Sequence, residues 1–172
     1  MTSETEGTAM TLSAERLREL VDYNAETGEM RWRIDRGGSA RAGCTVGSVS
    51  LSGYLKTAVD DRRYQVHRLV WLYVFGEWPK RFLDHINGNR ADNRLCNLRS
   101  VDGYQNACNR GVQRDNTSGF KGVSWHKKSK KWRATISVRG KYIHLGVFPT
   151  KEAAANAYAK ASEQHHGDFG RV

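Results

Sequence analysis

Between Phe120 and Phe148 apolar and polar side chains alternate in three short runs with glycine breaks. Such a pattern suits a sheet with one buried and one wet face. Trp132, Ala134, Ile136 and Val138 alternate with Arg133, Thr135, Ser137 and Arg139. Ile143 and Leu145 alternate with Tyr142 and His144, and Val123 and Trp125 with Ser124 and His126. The next segment, Thr150 to Gln164, has helical spacing. Thr150 can cap it and Glu152 suits its positive end. Ala154, Ala157, Tyr158 and Ala161 share one face and can cover the apolar side of the sheet. The expectation is a three-stranded antiparallel sheet packed on one C-terminal helix, with a polar face left open.

Charge sharpens what that face can meet. The 172 residues carry 28 Lys+Arg and 18 Asp+Glu, a net of 28 − 18 = +10. Residues 110–149 hold ten basic residues against Asp115 alone, 10 − 1 = +9, whereas residues 1–30 carry two basic and seven acidic residues, 2 − 7 = −5. A basic field of this size in one stretch suits a polyanion, most often nucleic acid. A solvated lysine-rich surface is the plainer alternative. Membrane-surface binding is disfavoured because the cations follow strand spacing rather than an amphipathic helix. No run approaches the ~20 apolar residues a bilayer requires. Met1 to Met10 is polar and acidic, unlike a secretory signal. Cys44, Cys96 and Cys108 cannot all pair and form no CxxC, so neither a disulfide scaffold nor a four-cysteine zinc site is expected.

The first two thirds reads as mixed α and β. Leu12 to Asn24 fits a short helix capped by Ser13, with Leu17, Leu20 and Val21 on one stripe. Met30 to Ile34 alternates like a half-buried strand, and residues 37–43 form a Gly/Ser/Arg-rich loop. Val46 to Val66, with turn signals at Ser52-Gly53 and Asp60-Asp61, reads as an antiparallel meander. His67 to Phe75 is strongly apolar and predicts a buried helix stopped by Gly76 and Pro79. His67 is expected to serve as scaffold, and His165-His166 as a surface pair.

Asp84 to Asn109 is too polar for a core segment and carries the chemistry. Hydrolysis of a phosphodiester needs a group that takes a proton from water, a role neutral imidazole fills near pH 7. It also needs a cation to offset charge on phosphorus and the leaving oxygen. A hard ion such as Mg²⁺ is satisfied by a carboxylate and an amide oxygen, with water and phosphate completing its shell. Asp84, His85 and Asn106 supply these groups. Ser100 could cap a helix beginning near Val101 that carries Asn106, behind a hairpin whose first strand carries Asp84 and His85. Adjacent strand residues point to opposite faces, so Asp84 and His85 converge only if the strand twists or ends there.

This segment resembles the HNH endonuclease motif in its phage and homing branch. The residues that carry the resemblance are His67-Arg68-Leu69-Val70, Asp84-His85-Ile86-Asn87-Gly88-Asn89, Asp92-Asn93, Asn97-Leu98-Arg99 and Asn106. The resemblance implies a ββα-metal core in which His85 is the general base, Asp84 and Asn106 hold Mg²⁺ or Mn²⁺, and Asn97 braces the hairpin. Asn109 is the alternative for the last position.

Residues 117–169 resemble the ethylene-response-factor (Apetala) type of DNA-binding domain. Gly119-Phe120-Lys121-Gly122-Val123, Trp132-Arg133-Ala134, Leu145-Gly146-Val147-Phe148 and Glu152-Ala153-Ala154 through Ala157-Tyr158 carry this resemblance. It implies that the open face, with Ser124, His126, Thr135, Ser137, Tyr142 and His144, meets duplex DNA. Arg133 and Arg139 are expected to add to this face, and Lys127 and Lys128, in a turn, to meet phosphates. Here hydroxyls and histidines stand where plant domains carry mostly Arg and Trp.

The combined expectation is an α+β, metal-dependent DNA endonuclease. An HNH domain would occupy residues 1–110, a linker 111–118 and a sheet-plus-helix DNA reader 119–172. A monomer in the cytoplasm of a bacterial host, encoded by a phage or prophage, fits best. A DNA-binding regulator with an inactive nuclease core, or an RNA-binding protein with a basic sheet, is the rival reading.

Overall fold

The structure, a computed structural model, describes residues 12–38 and 40–172. The acidic segment Met1 to Met10 lies outside the described residues. The chain divides into two compact units. The first comprises residues 1–85 and 89–98, the second residues 86–88 and 99–172.

The first unit opens with α1 (Ala14–Leu20), where the Ser13 hydroxyl accepts from the Arg16 N–H as expected of a cap. The helix is shorter than its apolar stripe suggests. Val21 turns extended and starts β1 (Val21–Tyr23), which pairs antiparallel with β2 (Met30–Trp32). β-Branched Val21 is fully buried as a strand residue, so cross-strand pairing with Trp32 overrides helical continuation. Ile34 lies beyond β2 and is exposed, which corrects the longer strand expected there.

The meander forms as read. β3 (Ser48–Val49), β4 (Leu55–Val59) and β5 (Arg62–Gln65) pair in that order. Asp60 and Asp61 both have positive φ, the conformation a two-residue hairpin of the right hand requires. α2 (Val66–Phe75) follows at once and ends on Gly76 in the left-handed region. Leu17, Leu20, Val21, Met30, Trp32, Val59, Leu69, Val70 and Leu72 form one core that seats α2 in the centre of this unit.

β6 (Phe82–His85) and β7 (Leu98–Val101) form a two-stranded sheet, with a single 3₁₀ turn at Leu95–Asn97 before β7. α3 (Gly103–Cys108) comes next. Its cap is Asp102, not Ser100. The Asp102 carboxylate accepts from the Gln105 N–H, and the Gln105 side chain accepts from the Asp102 N–H. Ser100 and Val101 remain extended in β7. A reciprocal capping box satisfies two backbone donors, which a lone serine cannot do.

In the second unit β8 (Val123–His126), β9 (Lys131–Val138) and β10 (Lys141–Phe148) form an antiparallel sheet in the order β10-β9-β8. α4 (Lys151–His166) is capped by the Thr150 hydroxyl. Val123, Ala134, Ile136, Ala154, Tyr158 and Ala161 make its two small cores. Leu145 joins both cores on the expected side, and a register shift between His144 and Gly146 brings Phe148 to the core side as well, out of strict alternation. Trp125 departs from the expected pattern: it is 47% exposed and packs edge-on against Trp132. The end of the expected linker is ordered. Ser118 is buried and its hydroxyl lies within hydrogen-bond distance of Asn116, Phe120 and Val123 oxygens. His165 is exposed, but His166 is buried and its Nε2 meets the Ser137 carbonyl at 3.0 Å, which corrects the expected surface pair. The helix runs past Gln164 and carries His166 back to the sheet. No helix among the described residues is long and apolar enough to cross a membrane.

Gly122 joins the ordered turn to β8 with φ +71°, and a Cβ there would overlap the Tyr158 ring. Gly122→Ala should destabilise this unit by roughly 2–4 kcal/mol, from backbone strain together with overpacking. Thermal unfolding of the full chain, followed by tryptophan fluorescence, checks this. A transition equal to that of the unsubstituted protein would contradict the packing described.

Candidate active site and nucleic-acid interface

β6 ends at His85, which is how neighbouring Asp84 and His85 both come to be buried side chains. His85 is 3% exposed and Asp84 8%. The loop after β6 returns Asn93, 1% exposed, to within 3.2 Å of His85: Nε2 lies opposite Asn93 Oδ1. An amide oxygen can only accept, so Nε2 carries the proton and the basic lone pair resides on Nδ1. Asn93 is itself fixed. Its carbonyl accepts from the Tyr23 hydroxyl at 3.0 Å, and its Nδ2 points at the Ala91 carbonyl. Gly28 permits this approach, because a Cβ at that position would overlap the Arg94 N–H and crowd the Asn93 backbone.

Two further rings wall the imidazole. His67 meets His85 edge-on at 5.0 Å between centroids, and Tyr54 lies 5.8 Å from His85 and 5.2 Å from His67. Arg90 covers Tyr54 at 4.9 Å and donates to the Ser52 carbonyl, closing the turn before β4. Burial pushes His85 below its ordinary pKa. Its Asn93 hydrogen bond and the charges of Asp84 and Asp92 oppose the shift, and Arg90 adds to it. The ring is therefore neutral at pH 7, the state a proton acceptor needs.

Asn97 sits in the 3₁₀ turn, buried, and donates through Nδ2 to the Asp92 carbonyl at 2.8 Å. Asp92 in turn holds the Arg94 guanidinium at 2.6 and 2.8 Å. Asn97 thus clamps the loop that carries Asn93. Asn106 lies half-buried in α3 of the second unit, and Asn109, the alternative, caps the same helix and is buried. No three His, Cys, Asp or Glu side chains gather among the described residues. Taken singly, the Asp84 carboxylate and the Asn106 amide oxygen are each the kind of donor a hard ion accepts.

Asn93 and Tyr54 are the residues that sequence reasoning left without a role. Asn93 was visible in Asp92-Asn93, but only the folded loop turns it onto His85. Tyr54 follows an ordinary Ser-Gly turn and carries no local signal.

On the second unit the open face is continuous. Across the sheet Ser124 stands opposite Arg133, Ser137 opposite Tyr142, and Thr135 opposite His144. Arg133 Nη2 reaches Ser124 Oγ at 3.4 Å, and Tyr142 is 83% exposed. Lys127 and Lys128 lie exposed in the β8–β9 turn, where the His126 ring meets Ser129 Oγ at 2.7 Å. Arg139 is in the β9–β10 turn with positive φ. The second unit holds 14 Lys+Arg and 5 Asp+Glu, 14 − 5 = +9, against 14 − 13 = +1 in the first. Arg16, Arg31, Arg33, Arg36, Lys80 and Arg94 of the first unit are held in ion pairs.

Burial holds His67 at a pKa of about 3, with the charges of His85 and Arg68 adding to the shift. Its Nδ1 is buried without a hydrogen-bond partner. Between pH 6.5 and about 3 the unfolded chain protonates this residue while the native protein does not. Stability from this source is complete above pH 6.5 and falls as pH drops, by at most ~1.4 kcal/mol per pH unit. His67→Phe should retain stability at pH 7 and lose it less steeply between pH 6 and 4. Urea unfolding across that range checks this, and parallel slopes for both proteins would count against a buried neutral His67.

Residues 64–107 match the family model described as HNH endonuclease, and residues 118–167 the model described as AP2 domain. Protein 3.8 of Escherichia phage T7 is 36% identical over 106 residues, spanning 61% of this chain and 87% of that protein. The uncharacterized HNH endonuclease L560 of Acanthamoeba polyphaga mimivirus is 29% identical over 120 residues, 69% of this chain and 61% of its own length. The AP2-like ethylene-responsive transcription factor TOE2 of Arabidopsis thaliana is 35% identical over 54 residues, 31% of this chain and 11% of that protein. The solved structure "DNA binding and cleavage by the HNH homing endonuclease I-HmuI" aligns with 86% of this chain and 85% of its own at 22% identity, with a TM-score of 0.40. The chain belongs to the HNH endonuclease family, and an AP2 domain follows the HNH segment in the same polypeptide.

Proposed function

We propose that the protein is a metal-dependent DNA endonuclease that hydrolyses phosphodiester bonds with His85 as general base. The observation that carries this reading is the buried, neutral imidazole whose protonated nitrogen is set by Asn93. Nδ1 of His85 takes a proton from water as the water oxygen bonds to phosphorus. The bond from phosphorus to the ester oxygen breaks, and that oxygen collects a proton from solvent. A Mg²⁺ or Mn²⁺ ion held by Asp84 and Asn106 would offset the charge gathering on phosphate and on the leaving oxygen. Asn93, Tyr54 and His67 orient the base and keep bulk water from it.

The AP2 unit supplies affinity and placement on duplex DNA. Its +9 charge and its open face of Ser124, Thr135, Ser137, Tyr142 and His144 support that role. On this reading the nuclease domain extends to about residue 110 and the reader begins near residue 119. The phage T7 relative supports a setting in an infected bacterium.

His85→Ala should lower single-turnover cleavage of duplex DNA by roughly 10²–10⁴-fold while leaving DNA affinity unchanged. Chelator should abolish cleavage by the unsubstituted protein, and Mg²⁺ should restore it. Turnover by the variant at the unsubstituted rate would remove His85 from the mechanism, and full activity in chelator would remove the metal.

If the sheet reads bases, Thr135→Ala or His144→Ala should shift the profile of cleaved sites. Lys127→Gln with Lys128→Gln should weaken binding about equally on all sequences. Site profiling on a mixed DNA pool makes the comparison, and an unchanged profile after the strand substitutions would rule out base reading by this face.

A further inference from the structure

Residues Gly167 to Val172 follow α4 and return to the C-terminal end of α3. The Arg171 N–H lies 3.4 Å from the Cys108 carbonyl. Lys121 Nζ donates to the same carbonyl at 2.6 Å and to the Arg171 carbonyl at 3.1 Å. Arg99 donates to the Asp168 carbonyl at 2.7 Å and covers the Phe169 ring at 4.4 Å. Three cations therefore gather along six residues of chain. Lys121 and Arg99 direct donors onto backbone carbonyls, but the Arg171 guanidinium does something different. It lies against Gly88, where a Cβ would overlap it, and beside Gly111. Gly88 belongs to the short Ile86–Gly88 turn that leaves His85 along the chain.

Arg171 is exposed and none of the ion pairs among the described residues involves it or Lys121. Burial, foremost, holds Lys121 below its usual pKa, with Cys108 opposing and the positive charge of Arg171 adding. Bringing two cations together without an acid costs free energy unless an anion joins them. A planar guanidinium already placed against bare backbone is suited to bind a phosphate through two parallel hydrogen bonds.

We propose that Arg171, seated on Gly88 and backed by Lys121, is a DNA-phosphate contact separate from the open sheet face. It follows that the segment after α4 adds a second anchoring point to the AP2 unit, at the turn directly downstream of His85 in sequence. This rests on the DNA reading above but not on His85 being the base.

The test uses the full chain carrying His85→Ala, so that DNA stays intact, and measures duplex affinity from 50 to 300 mM NaCl. Arg171→Met keeps the aliphatic stem and removes the charge, whereas Arg171→Lys keeps the charge. The slope of log affinity against log salt should fall by about 0.9 with Met, one phosphate contact, and stay unchanged with Lys. Thermal unfolding of both variants should match that of the parent. Equal slopes for Met and parent would overturn the proposal. So would a loss of thermal stability in both variants with the slope unchanged, which would make Arg171 a structural strap. If the parent itself binds duplex DNA with no salt dependence, the DNA reading fails first. If His85→Ala still cleaves while the Met slope falls, only the base assignment fails.

Discussion

A buried imidazole with one ring nitrogen committed to an amide oxygen organises the first unit. Asn93 is almost wholly inaccessible, and its backbone is tied to Tyr23 while its loop is clamped by Asn97 through Asp92. Each of these contacts fixes an orientation rather than adding much net stability, since a single hydrogen bond contributes only about 1 kcal/mol. Their combined effect is that the His85 ring cannot turn over without breaking a chain of contacts running from β1 through the loop after β6. Pre-orientation of this kind is what a proton acceptor requires, because proton transfer depends on heavy-atom geometry before it depends on pKa.

The same burial that orients His85 also makes it costly to charge. His67 and His85 lie edge to edge, so protonating either would place a charge beside the other. The pair is held neutral chiefly by desolvation, and the nearby Asp84 and Asp92 carboxylates only soften the effect on His85. The first unit keeps its ion pairs at the surface, where exposed arginines meet Asp60, Glu19 and Glu29. Such pairs contribute little each. The second unit has the opposite electrostatic character. It carries nearly all the net charge, which suits a surface that exchanges counterions for phosphate.

Local rules failed where tertiary pairing outweighed them. Val21 has helical spacing with Leu17, yet it joins β1 because Trp32 offers a cross-strand partner. Ser100 is a good cap residue in isolation, but Asp102 and Gln105 satisfy two backbone groups reciprocally and displace it. His166 looked like half of a surface pair, but α4 runs two residues further and brings it to the Ser137 carbonyl. For Val21 and His166 a pairwise contact distant in sequence decided between two locally acceptable conformations, and for Ser100 a better local cap did.

Periodicity and turn chemistry are properties of neighbouring residues, so the chain itself determined the meander, α2, the three-stranded sheet with its covering helix, and the placement of Asp84 and His85 on one strand. Ordered spacing likewise made the two family resemblances legible before any coordinates. The partners of His85 were a different matter. Asn93 is eight residues away and turns inward through a loop with no regular period, Tyr54 belongs to a hairpin thirty-one positions upstream, and the contact with Gly88 comes from residue 171. Only the closed chain brings such groups together, because their meeting depends on where the core places each loop end and not on any pattern within the loops.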